Sequence, residues 1–161
     1  MNAYTERLLG LVGERDPVQV LADTPSRLES VYRVLVNDKL DVSFGPGKWT
    51  VRQILAHLVD AEVTVSFRVR LALAVDHPTI QPYDQDAFVG VYQGIDAGLA
   101  VKTFRTLRAW NLALVRTLTP AESERGAFHP ERGEETVGRM IAMLAGHDLN
   151  HLAQLDLIAR S

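Results

Sequence analysis

The chain has 161 residues, 47% of them hydrophobic and 23% charged, which suits one ordinary globular domain spanning 1–161. Its 17 basic and 20 acidic residues leave a formal net charge of −3 with no basic block, which argues against phosphate neutralisation and hence against nucleic-acid binding. It has no cysteine, which excludes disulfides, thiolate nucleophiles and Cys-built zinc or iron–sulfur sites and fits a reducing compartment.

The opening MNAYTERLLGLVGERDP lacks the apolar core of a secretory signal, because Glu6, Glu14 and Asp16 come too early. No uncharged apolar run approaches the roughly 18 residues of a membrane span. The expectation is a cytoplasmic protein without a membrane partner. Helical spacing of Leu8, Leu9, Leu11 and Val12 predicts a first helix over 3–13. Asp16-Pro17 predicts an N-cap and a short helical turn, and Thr24-Pro25 predicts a second, stronger start. Leu28, Val31, Tyr32, Leu35 and Val36 then form an amphipathic stripe. The Gly45-Pro46-Gly47 stretch is a loop. Thr50 is placed to cap a long helix over 51–75, with Ile54, Leu55, Leu58, Ala61, Val65 and Val69 inward.

Residues 77–95, with Pro78, Pro82, Gly90 and Gly94, predict a long connection containing a short helix near Asp84–Val89. Asp96 starts another helix that runs to about Leu118, carrying Leu99, Phe104, Leu107, Leu112, Leu114 and Val115. Thr119-Pro120 ends it and begins one more turn. Residues 126–135 read as a polar loop, and no segment alternates like a strand. The last helix begins at Glu134 or Thr136 and continues to Ala159, with Met140, Met143, Leu144, His147, His151, Leu155 and Ile158 in one stripe. Four long helices and one long crossover predict an all-α four-helix bundle.

His147 and His151 lie one turn apart on one helix face, in positions that otherwise take apolar residues. Burying two imidazoles costs free energy unless they are hydrogen-bonded to neighbours or ligate an ion, and the pair alone leaves both readings open. His57, among Ile54, Leu58 and Ala61, adds a third inward imidazole from another helix. Three imidazoles suit zinc, nickel or ferrous iron and leave a position for water or substrate. Asp60 follows His57 by one turn and is expected to orient an imidazole or act as a weak catalytic base. Gln154 returns to the face of His147 as a supporting group. Glu62 is expected on another surface and Asp148 at a cap or in solvent. His77 and His129, each before a proline, read as solvated loop residues. Arg68 and Arg70 read as helix-surface ion-pair formers, and Trp49, Phe104 and Trp110 as packing residues.

Three segments in this order resemble the DinB-like (YfiT-like) metalloprotein superfamily: Gly47-Lys48-Trp49-Thr50, Ile54-Leu55-Ala56-His57-Leu58-Val59-Asp60, and Gly146-His147-Asp148-Leu149-Asn150-His151-Leu152-Ala153-Gln154. Gln53 departs from the Glu common in relatives. The resemblance implies a four-helix bundle with a long crossover and metal ligands at His57, His147 and His151. It implies a homodimer, a small-molecule substrate, and a low-molecular-weight thiol as cofactor. It also implies a thiol S-transferase or a related conjugating or hydrolytic enzyme. Zinc or nickel is the expected ion, with iron or manganese as further candidates. The competing expectation is a non-catalytic metal-binding or stress-associated bundle.

Overall fold

The computed structural model describes residues 3–92 and 94–161; Gln93, inside the predicted connection, lies outside them. In chain order the elements are α1 (Ala3–Val12), α2 (Pro17–Leu35), α3 (Val51–Ala74), α4 (Gln85–Gly90), α5 (Ala97–Val115), α6 (Pro120–Ser123), β1 (Gly126–His129), β2 (Gly133–Thr136) and α7 (Val137–Arg160). Asp16, Thr50, Asp84, Asp96, Thr119 and Thr136 each cap a helix by accepting a backbone N–H from its first turn. At Thr50 the Gln53 carboxamide returns the bond at 2.8 Å, so glutamine serves the capping box as glutamate would.

Helices α2, α3, α5 and α7 form the bundle. Helix α2 packs on α7 and α5, and α3 packs on α5 and α7. Consecutive helices α2 and α3 therefore face each other across the diagonal, and α1 lies on α7. Among the described residues, no helix is long and apolar enough to cross a membrane.

The apolar core is in two parts. One gathers Val20, Leu21, Val69, Leu112, Met140 and Ile141; the other gathers Leu28, Leu35, Leu55, Phe104, Leu152 and Leu155. Between them every bundle helix contributes buried polar residues: Thr24 on α2, His57 and Glu62 on α3, Arg108 and Asn111 on α5, and His147, Asp148 and His151 on α7. Such a polar waist is stable only if its members satisfy one another or a ligand.

Two expectations are corrected. Thr24-Pro25 starts no helix, because α2 runs through Pro25. Thr24 is buried and donates its hydroxyl to the Val20 carbonyl at 2.9 Å. Proline at 25 removes the N–H that would bond the Leu21 carbonyl four residues back. Arg108 fills that vacancy, donating Nη1–H to Leu21 O at 2.8 Å. A tertiary donor thus replaces the local bond, which sequence periodicity does not register.

The predicted polar loop at 126–135 is an antiparallel hairpin in which Gly126 opposes Thr136 and His129 opposes Gly133. Gly133 turns the chain in the left-handed region, at φ 80°. The crossover supplies a further partner: Phe128 N–H bonds Pro78 O at 3.0 Å and Ile80 N–H bonds Phe128 O at 2.8 Å. Four-residue strands held by a distant segment carry no sustained alternation to read.

Candidate metal centre

His57 lies early in α3, and His147 and His151 lie mid-way along the adjacent α7. The capping box at Thr50 fixes the start of α3 and so the phase at which His57 points inward. The three rings are 0%, 9% and 5% exposed. Their ring centroids are 4.4 to 4.9 Å apart. His147 Nε2 lies 2.7 Å from His57 Nε2 and 3.1 Å from His151 Nε2. All three candidate ligand atoms fall within 4.8 Å of one another, so the predicted histidines are brought together.

His151 Nδ1–H donates to Gln154 Oε1 at 2.8 Å, which leaves the His151 Nε2 lone pair facing the other rings. Gln154 therefore has the supporting contact expected of it. His57 Nδ1 and His147 Nδ1 have no hydrogen-bond partner among the described residues. Burial, then the charge of His151, holds the His57 imidazole down to about 3. Burial, partly offset by Gln154, brings His151 to about 4. Burial, followed by its two histidine neighbours, takes His147 well below 6.5. Three neutral rings then converge on one point, and hydrogen bonding among them cannot satisfy every inward nitrogen. Two nitrogens each about 2.1 Å from one ion, at roughly a right angle, lie about 3 Å apart. The 2.7 and 3.1 Å separations from His147 to its two neighbours match, and with all three ligand atoms within 4.8 Å of one another the donor set could hold a divalent cation.

Trp49 walls the centre, 4.6 Å from the His57 ring and stacked 6.0 Å from His151. Its Nε1–H is held by Asp86 of α4 at 2.9 Å, so the crossover helix braces the site. An open cleft of about 450 Å³ reaches His151, Trp49 and Gln154. A smaller cavity of about 110 Å³ lies against His147. Asp60 accepts the Tyr92 hydroxyl at 2.6 Å through Oδ1, while Oδ2 is buried without a partner among the described residues. Burial raises the Asp60 carboxyl, opposed by that hydrogen bond.

Gly146, next to His147, lets α1 cross α7 closely. A Cβ there would collide with the Leu8 carbonyl and its carbon. Gly146→Ala is expected to destabilise by about 1–3 kcal/mol, since backbone cannot yield as a flexible side chain can. Urea unfolding measures this, and a variant as stable as the parent would refute the close-contact reading.

Several residues lie elsewhere than expected. Asp148 and Glu62 are fully buried rather than solvated, both bonded to Arg108. His129 is 1% exposed and lines the smaller cavity. His77 stays exposed, 2.7 Å from Glu134. Arg68 is buried against that cavity, whereas Arg70 reaches Asn111 at 3.0 Å. Phe104 packs in the core, with Arg108 over its ring, but Trp110 is 69% exposed. Arg108 and Asn111 were missed as buried polar residues. The available signal was that Arg108 stands four residues from both Phe104 and Leu112, within the apolar stripe.

The DinB superfamily model matches residues 21–155. Two relatives provisionally named metal-dependent hydrolases are similar along most of the chain. One, from Oceanobacillus iheyensis, is 31% identical, covering 89% of this chain and 84% of that protein. YfiT of Bacillus subtilis is 30% identical, covering 89% and 82%. A solved structure of that YfiT, described as an unusual four-helix bundle, aligns with TM-score 0.85 at 29% identity, covering 89% of this chain and 84% of that one. The family model spans most of the chain, relatives at 30% identity or more align along nearly nine-tenths of it, and the chain belongs to the DinB superfamily.

Proposed function

We propose that this chain is a metal-dependent enzyme whose ion is held by His57, His147 and His151 and whose nucleophile is water or a small thiol. The observation that carries this reading is an open donor set: three convergent imidazoles, with a cleft on the His151 side and a cavity on the His147 side. Closed structural sites generally supply four protein ligands. Among the described residues no fourth His or acidic group joins these three. A divalent ion bound there supplies Lewis acidity, which favours the deprotonated nucleophile.

The chain's own residues orient and shield. Gln154 fixes the tautomer of His151, and Trp49 excludes water from one side of the rings. Asp60 we assign to positioning, since its bond to Tyr92 ties the crossover to α3 one turn beyond His57. The names of the relatives favour hydrolysis, and the family resemblance favours S-transfer to an electrophile. A dimer is consistent with Phe67 and Trp110, large apolar side chains left 63% and 69% exposed.

Elemental analysis tests the centre. The purified chain is expected to carry about one divalent ion, and His57→Ala or His147→Ala to lose most of it, because each deletes one of three strong ligands. Unchanged stoichiometry in either variant would defeat the assignment. Turnover of ester or amide substrates, set against thiol-dependent consumption of electrophiles, separates hydrolase from S-transferase.

A further inference from the structure

The cavity of about 110 Å³ holds a second cluster of polar groups, beyond the three-histidine centre. His129 enters it from β1 and is 1% exposed. The Glu131 backbone N–H donates to His129 Nδ1 at 3.2 Å, so the proton of the neutral ring sits on Nε2. That Nε2–H has no acceptor among the described residues. Burial first, then the charges of Arg132 and Arg68, keep the ring neutral.

Arg68 enters the same cavity from α3 and is 7% exposed. Its Nη2–H donates to the Gln81 carbonyl at 2.6 Å, and its guanidinium lies 5.6 Å from the Tyr83 ring centre. No carboxylate is within ion-pair reach of it among the described residues. Glu135 also lines the cavity, but Arg132 takes both its oxygens, the second at 2.9 Å. Glu131 is exposed and screened by solvent. A buried cation without a counter-ion and a buried donor without an acceptor therefore face one cavity, a costly arrangement unless an anion with acceptor oxygens enters.

We propose that this cavity binds the carboxylate of a small organic acid, with Arg68 as counter-cation and His129 Nε2–H as second donor. His147 lines the same cavity, so an acid anchored there extends toward the three-histidine centre. As the anchor for that centre's substrate, the pocket rests on the function proposed above; as a carboxylate site it does not.

Acetate is the probe and acetamide its uncharged analogue, titrated by calorimetry or by ligand NMR. Both are run on the protein as purified, on the chelator-stripped protein and on His57→Ala. Saturable acetate binding is expected in all three, with acetamide weaker by roughly tenfold or more. Arg68→Met and His129→Phe should each weaken acetate by a similar factor, while His129→Gln, which keeps an N–H donor, retains most of it. Circular dichroism checks that each variant folds, and the His129 pair tests the site if Arg68→Met does not. Absence of saturable binding overturns the proposal. So does acetate binding that His129→Phe leaves unchanged. Acetate binding that vanishes with the metal or in His57→Ala overturns it too, since the ion alone would then be the acceptor. Loss of metal from His57→Ala with acetate binding intact supports both readings, whereas retained metal with intact acetate binding supports the carboxylate site and defeats the metal assignment.

Discussion

Arg108→Met is expected to cost about 3–5 kcal/mol of stability, the usual penalty for removing one partner of a buried ion pair. Arg108 is 1% exposed and reaches three other helices from α5. It donates twice to Glu62 of α3, through Nε at 2.9 Å and through Nη2. Nη1 donates to Asp148 of α7 at 2.7 Å and to Leu21 O of α2 at 2.8 Å. Burial opposes its charge, but Asp148 and Glu62 outweigh that and hold the guanidinium protonated. Methionine fills much of the volume yet leaves two carboxylates buried without their cation. It also reopens the carbonyl that Pro25 left free. Urea unfolding should show the loss as a lower midpoint with little change in slope. Replacing Arg108, Glu62 and Asp148 together by apolar residues should recover most of it, because the cost lies in orphaned charge. A single variant within about 0.5 kcal/mol of the parent would contradict the assignment, that being the range of ordinary surface substitutions.

The contrast between Arg108 and the histidines marks what the sequence made legible. Caps at Asp16, Thr50 and Asp96 were readable because they act within one turn of themselves. His147 and His151 were readable because their interruption of an apolar stripe repeats at helical spacing. Arg108 interrupts its stripe just as plainly, but arginine is so common on helix surfaces that a single one carries little signal. Its partners lie 40 and 46 residues away, and only the packing of three helices brings them together. Glu62 and Asp148 were misplaced for the same reason: each lies off the histidine face of its helix, and that second face is buried too. His129 failed through local context. His-Pro suggested an exposed loop, whereas pairing of Phe128 with Pro78 and Ile80 draws the neighbouring ring inside.

The metal-free protein is expected to lose about 4 kcal/mol of stability between pH 7.5 and 5.5, a pH dependence that follows from the three buried rings. In the unfolded chain each imidazole titrates near 6.5. In the folded chain burial takes His57 to about 3, His151 to about 4 and His147 well below 6.5. Below pH 6.5 the unfolded state therefore binds protons that the folded state refuses, and unfolding becomes easier as pH falls. Each histidine contributes about 1.4 kcal/mol over those two units, and the loss continues until the folded rings titrate. Against a total stability of about 5–15 kcal/mol this is a large fraction. Urea midpoints of chelated protein at pH 7.5, 6.5 and 5.5 measure it. Changing all three histidines to glutamine should flatten the dependence, leaving the smaller, opposed contributions of buried His129, which is lowered, and of His77, which its bond to Glu134 raises. A bound ion raises stability because it binds only the folded form, and by holding the rings unprotonated it keeps the same sign of pH dependence. Direct proton competition for the ion should then begin well below the pH 6.5 of a free imidazole, so metal release on mild acidification should follow unfolding rather than precede it. Metal leaving near pH 6.5 from a chain that is still folded would mean that the three rings are far more accessible to solvent than their burial indicates.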